Sequence, residues 1–322
     1  MLIIWNKQLG PAIGLMLGIF TCAMLVLSPG KSTTQSYIVQ GHDLASLKVA
    51  VQDVGGKITH ELGIINAVSA RLSAAELRIL KDRDAVRRVY ADATVEVTGK
   101  PVKDDGGSSS SSGGNIDSTY VPAMTGATAL HTEGIDGYGV TIAVVDTGAW
   151  SDNGIGKNPL NEPRIVAQYD AIQDKTSVSD GYGHGTHVTS IALSSRVTEN
   201  GEFAGIAPAA DLVSVRAFDD LGNGTYADVI RALDWVVANK DTYGIRVMNL
   251  SFSTEPRSHY WDDPMNQAVM AAWRAGIVVV ASAGNTGPSA MTIGAPGNVP
   301  SVIPVGAMTD TSTPCLVYTS PS

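Results

Sequence analysis

From Tyr120 onward, short β-branched runs alternate with stretches of helical periodicity, and few folds satisfy that alternation. Val140 to Val145, Leu212 to Arg216, Val247 to Ser251 and Ile277 to Ala281 are apolar runs flanked by Gly and Pro. Such runs suit strands covered on both faces. Val188 to Ser195 and Ala227 to Asn239 repeat their apolar residues at helical spacing; in the second, Val229, Ile230, Leu233, Val236 and Val237 form one stripe. Strands that alternate with helices predict an α/β fold, a parallel sheet with helices on both sides. In such sheets functional groups gather beyond the carboxyl ends of the strands, where Asp146 and Asn285 lie.

The chain ahead of this region has a different character. Residues 36–98 read as a small α+β module, with strands at Ser36–Gln40, Ile58–Leu62, Ile64–Leu72, Val86–Tyr90 and Thr94–Val97. Leu44–Val54 is a helix ended by Gly55-Gly56, and Ser73-Ala-Ala-Glu76 is a capping box that opens a second helix. The order β-α-β-β-α-β is the ferredoxin-like split unit. Residues 99–118 hold a run of serines and glycines that buries too little apolar surface to offset chain entropy, and are expected to form a linker.

Residues 1–28 read as a secretory signal: Lys7, an uncharged apolar run, then Ser28-Pro29-Gly30. The strongly apolar part, Ala12 to Leu27, has 16 residues, whereas a spanning helix needs about 20. A cleaved signal and no later membrane span are therefore expected, with a secreted product. Of the two cysteines, Cys22 lies in the signal and Cys315 near the end, so no internal disulfide is expected. The net charge of −9, with Arg87-Arg88 as a lone basic doublet, argues against nucleic acid as a partner.

Three polar residues follow apolar strands or open helices in positions suited to acyl-transfer chemistry. Asp146 in Val-Val-Asp-Thr-Gly148 follows a buried run directly. His184 stands between Gly183 and Gly185, which leave its imidazole open and permit close backbone approach. Asn285 ends Ala-Ser-Ala-Gly-Asn285, where a fixed side-chain amide can donate to a developing oxyanion. A metal site from His184 and His187 lacks the glutamate of an H-E-x-x-H pattern and a nearby third ligand, so no metal ligand is assigned. His187 is expected to be a buried, hydrogen-bonded structural residue.

Val-Val-Asp-Thr-Gly, Gly-His-Gly-Thr-His-Val, Asn249-Leu250-Ser251 and Ala-Ser-Ala-Gly-Asn occur in the order and strand context of the subtilisin-like serine proteases, which this chain resembles from about Tyr120 to Ala307. The resemblance implies a peptidase domain over 119–314. It implies that Asp146 orients the imidazole, that His184 is the general base and that Asn285 is the oxyanion donor. It also implies that Gly222-Asn223-Gly224 and Ser251-Phe252-Ser253 are the two edges that pair with an extended polypeptide substrate. Ala283 and Gly284 would form the opposite wall of the main specificity pocket. Ser253 stands where many relatives have glycine, and Pro296 matches a position often cis in the family. Residues 36–98 resemble the family's propeptide, through Ile-Thr-His-Glu-Leu62 and Asn-Ala-Val-Ser-Ala70. The module is thereby expected to assist folding, inhibit the cleft intramolecularly and be cut off at the linker. Calcium, bound by some relatives, would need six to eight converging oxygens. Asp219-Asp220 with Asn223 reads instead as a solvated loop, so no cofactor is assigned, with calcium kept as the alternative.

The pattern also breaks. Relatives carry the nucleophile in Gly-Thr-Ser-Met-Ala beyond the oxyanion asparagine; here 37 residues follow Asn285 and none form that motif. The expectation is a fragment that is inactive, and unstable for want of the central helix. Residues 315–322, Cys-Leu-Val-Tyr-Thr-Ser-Pro-Ser, resemble translated sequencing-adaptor DNA and are expected to be an artefactual tail of an incomplete gene model. The alternative is a catalytically dead subtilase-like peptide-binding protein. A nucleotide-binding domain would need a Gly-rich phosphate loop, which Asp-Thr-Gly-Ala-Trp150 does not supply.

Overall fold

In the computed structural model, which describes residues 33–97, 121–152, 154–287 and 289–307, each hydrophobic period finds its own sheet or helix. The first sheet is built from β1 (Gln35–Gly41), β2 (Lys57–Leu62), β3 (Ala67–Leu72) and β4 (Val86–Ala91), with α1 (Leu44–Asp53) and α2 (Ala74–Lys81) between them. Its order is β2-β3-β1-β4, with every pair antiparallel, the arrangement expected of the split unit. Asp43 caps α1 by accepting from the Ser46 amide. Ser73 and Glu76 form the full capping box of α2. One expected strand is shorter than its apolar run. Gly63–Ile65 forms a 3-10 turn and Asn66 is left-handed at φ 51°, so β3 starts at Ala67. The cause lies in packing, because the Gly63 and Ile64 amides both donate to the Asp234 carboxylate.

A short strand β5 (Thr94–Glu96) follows, then α3 (Val121–Thr125) and α4 (Ala127–Thr132). The second sheet contains β6 (Thr141–Asp146), β7 (Ile165–Asp170), β8 (Asp211–Arg216), β10 (Ile245–Leu250), β11 (Val278–Ser282) and β12 (Ile303–Val305). Between them come α5 (His184–Leu193), β9 (Asn223–Thr225), α6 (Tyr226–Ala238) and α7 (Pro264–Arg274). The order is β12-β11-β10-β6-β8-β7, all parallel. The four strands legible in the sequence occupy the middle of this sheet or flank it, while β7 and β12 are its margins. Expected signal, linker and tail (1–28, 99–118 and 315–322) lie outside the described residues, except for the linker's neighbours on either side. Among the described residues no helix is long and apolar enough to cross a membrane.

One apolar cluster joins the two sheets. It runs from Ala143, Val213, Met248 and Val279 of the parallel sheet through Val229, Ile230 and Leu233 of α6 to Ile38, Leu62 and Ile65. Each such buried Val, Leu, Ile or Met side chain contributes about 1.5–3 kcal/mol relative to exposure. Helix α6 starts from a Thr225–Asp228 capping box and buries residues on nearly every side, because it lies between β6 and the β2 turn. Arg164 is the largest fully buried side chain. Its guanidinium donates to the carbonyls of Ile155 (2.7 Å), Pro208 (2.7 Å), Gly154 (2.7 Å) and Leu193, and it has no carboxylate contact among the described residues. Burial pulls its pKa down to about 10. At the far margin Val278, Ile303 and Val305 are exposed.

Candidate active site

The sheet register brings three polar exits to one level. Val145 pairs with Leu250 and Leu250 with Ala281, so Asp146, Ser251 and Ser282 leave the sheet together. At about 4.8 Å per strand, Asp146 and Ser282 stand about 10 Å apart across β10. Asp146 is fully buried. Its Oδ1 accepts from the Thr147 amide at 2.7 Å and lies 2.7 Å from His184 Nδ1. An ionised carboxylate only accepts, so the proton of this bond sits on Nδ1. Burial pushes the Asp146 carboxyl above its ordinary value, while the hydrogen bond and charge of His184 pull it back.

The glycines of the two motifs make this contact possible. A Cβ on Gly185 would stand 2.1 Å from the Gly148 carbonyl and 3.1 Å from Asp146 Cβ, so any side chain there would drive α5 off the end of β6. Gly148, at φ 113°, runs as close to the Ser179 carbonyl, 2.6 Å from where its own Cβ would be. Thr147 adds a second tie, its Oγ1 accepting from the Gly185 amide at 2.9 Å. Helix α5 therefore begins at His184 itself, four residues earlier than its apolar periodicity suggests. That start corrects the expectation for His187. One turn on, it is exposed on the outer face, and its ring makes no hydrogen bond among the described residues.

The remaining candidates fall into two groups. Asn223 and Gly224 lie on β9 and Gly222 just before it; β9 pairs antiparallel with β5, so that Thr94 faces Thr225, Val95 faces Gly224 and Glu96 faces Asn223. The Val97 amide donates to the Gly222 carbonyl at 3.0 Å, and Val97 forms an antiparallel bridge with Phe252 on the other side. The segment 94–97 thus runs between the two edges singled out in the sequence. Ser251 accepts from Asn249 Nδ2 at 2.8 Å.

Asn285 is exposed and lines a cleft of about 450 Å³ with Ser253, Thr254, Glu255, Pro256, Thr286, Met291, Thr292 and Gly294. The Ala283 amide donates to Val305 and its carbonyl accepts from Gly294, which fixes this wall. The hydroxyl of Ser253 fills the space between two glycines: a Cβ on Gly284 would meet it at 2.8 Å and one on Gly294 at 2.0 Å. The Ala295–Pro296 bond is cis. Asp219 and Asp220 are engaged locally, Asp219 Oδ1 accepting from the Leu221 and Asn223 amides and Asp220 pairing with Arg216. Among the described residues no three His, Cys, Asp or Glu side chains cluster as metal ligands.

Comparison with known proteins gives the family and the fold. The model of the subtilase family, a peptidase family, matches residues 137–320. The chain belongs to the subtilase family. Over 272 residues this subtilase is 31% identical to serine protease AprX of Bacillus subtilis (strain 168), an alignment that covers 83% of the chain and 56% of AprX. It is 29% identical over 304 residues to subtilisin J of Geobacillus stearothermophilus, covering 90% of the chain and 71% of subtilisin J. The chain thus spans little more than half the length of AprX. Among solved structures, fervidolysin from Fervidobacterium pennivorans, described as a keratinolytic enzyme related to subtilisin, superposes with a TM-score of 0.60 at 24% identity. That match covers 86% of this subtilase and 44% of fervidolysin, and it shows the fold.

Sequence reasoning missed Asp180 and Thr147 as neighbours of the pair. No local signal marks them, since Asp-Gly-Tyr-Gly reads as a turn and Thr147 as part of a strand exit.

Proposed function

We propose that these residues belong to a secreted serine endopeptidase whose nucleophile lies on polypeptide outside the 322 positions. The observation that carries this reading is the 2.7 Å contact of a fully buried Asp146 with His184 Nδ1 at the carboxyl end of the parallel sheet. In the proposed reaction His184 takes the proton of the serine hydroxyl as its oxygen attacks the scissile carbonyl, and Asp146 holds the ring and stabilises the imidazolium. Asn285 donates to the oxyanion, a contribution of about 2.7–4 kcal/mol that is known from a subtilisin asparagine rather than from this chain. The imidazolium then returns the proton to the leaving amine, and water releases the acyl group by the same relay. The groups required are protein side chains and water.

Residues 36–98 are the inhibitory propeptide in this reading, and 1–28 direct export. Support comes from segment 94–97, which occupies the lane a polypeptide substrate would use, with Val95 and Val97 buried and Thr94 and Glu96 exposed. Val97 packs in the space left by Gly222, whose absent Cβ would meet Val97 Cγ2 and the Tyr182 ring at 2.9 Å.

The proteolytic reading is tested on protein extended past Ser322 by the sequence that follows at the locus. Casein hydrolysis is expected, blocked by an organofluorophosphate that labels a single serine. A folded extended protein, freed of residues 36–98, that leaves casein intact would overturn it.

The inhibitory reading has its own test. Val95→Asp puts an unpaired charge into the cluster shared with Phe218, Tyr226 and Phe252. Hydrogen exchange at the Val97 amide should then accelerate about 100-fold while the β1 amides keep their protection. Equal protection of Val97 in both proteins would argue that 94–97 is not held by this cleft.

A further inference from the structure

The loop before α5 contains a second buried carboxylate beside the Asp146–His184 pair. Asp180 is 3% exposed, and its two oxygens take four donors. Oδ1 accepts from the Tyr182 amide at 3.1 Å and the Gly183 amide at 2.7 Å. Oδ2 accepts from the Thr186 amide at 2.8 Å and the Thr186 hydroxyl at 2.6 Å. These donors bracket His184 on both sides. The network continues outward, since Thr186 Oγ1 accepts from the Trp150 amide at 3.0 Å and Trp150 Nε1 donates to the Asp180 carbonyl at 2.7 Å. Trp150 lies four residues past Asp146, so one web ties the exit of β6 to the first turn of α5.

An asparagine could not replace this group without loss, because its amide nitrogen would face donors. A neutral cap would also remove a negative charge from the neighbourhood of the pair. The charge of Asp180 acts on Asp146, raising its proton affinity. The other charged or titratable groups at this corner are Asp146 and His184 themselves, Tyr182, and the Arg216–Asp220 pair at 2.9 Å. The Arg216 guanidinium donates to the Ser179 carbonyl at 3.3 Å, and Asp180 itself makes no ion pair among the described residues.

We propose that Asp180 is a positioning residue for the Asp146–His184 pair: it clamps the turn that carries the imidazole, and its negative charge stabilises the protonated ring. The proposal rests on reading that pair as the acid–base couple, yet it concerns the resting state and requires no nucleophile. Failure of the casein experiment leaves the following test intact, and the reverse holds as well.

The experiment is proton and nitrogen NMR of the His184 ring in the protein extended past Ser322, whether or not that protein hydrolyses casein. For Asp180→Asn the titration midpoint of His184 should fall by about 0.5 unit or more, because removal of a buried negative charge disfavours the imidazolium. The Nδ1 proton should also exchange faster with water. Thr186→Val keeps the charge and removes one donor; it should hold the midpoint within about 0.2 unit and still speed that exchange. A folded Asp180→Asn protein with an unchanged midpoint overturns the proposal. Should that variant not fold, unchanged Nδ1 exchange in Thr186→Val overturns it instead.

Discussion

His184→Ala in the serine-bearing enzyme should lower kcat by about 10⁴- to 10⁶-fold, a range whose upper end is that of subtilisin itself. The loss follows from the proposed reaction, in which the ring acts twice, as base in the attack and as acid in departure of the amine. KM should stay within about threefold, since β9 and Phe252, the edges that hold 94–97, are untouched by the change. Steady-state kinetics on a chromogenic peptide would read both constants. A kcat within about tenfold of the parent would mean that proton transfer does not pass through this imidazole, and the reading of the Asp146–His184 contact would fail with it.

The largest stability effect should come from Arg164→Met. The guanidinium satisfies the buried carbonyls of Gly154, Ile155, Leu193 and Pro208, and methionine offers them no donor. An unsatisfied buried polar group costs about 1–3 kcal/mol. Against that stands the relief of a buried charge, whose cost is visible in the pKa drawn down to about 10. The net loss expected is about 3–5 kcal/mol, which lowers Tm on the order of 10 °C for a domain of this size. Calorimetry of the two proteins side by side measures it, and a change within about 2 °C would show that water replaces the guanidinium. Leu193 is the last residue of α5, so the helix is anchored by Arg164 at its end and by Asp180 at its start.

The central strands and α6 were legible because they are buried on both faces, and a run such as Thr-Ile-Ala-Val-Val has no other stable use. The Asp146–His184 contact was expected only through the resemblance of the two motifs to the subtilisin-like proteases, and the structure adds that the missing side chain of Gly185 lets the motifs touch. Elements at the margins were not. Strand β7 carries Gln168 and Tyr169 within six residues, β12 has only three residues, and α7 opens with Pro264 among polar neighbours. Nothing in the sequence marks Arg164, because its partners are backbone carbonyls contributed from three separate segments. His187 was misjudged for a geometric reason. A helix that starts at His184 instead of Val188 turns position 187 outward. Asp180 stayed hidden because its partners are mostly amides, which every sequence possesses.

Strand β12 pairs with β11 on one side only, and no described strand meets its other side. Ile303 and Val305 leave it on the same face and are open to solvent. Among the described residues that row of peptide groups has no partner strand, and beside branched apolar side chains it can accept a strand from a neighbouring molecule. Edge-to-edge self-association of this chain should therefore grow with concentration, and Val305→Lys, which sets a charge on that edge, should reduce it in light scattering.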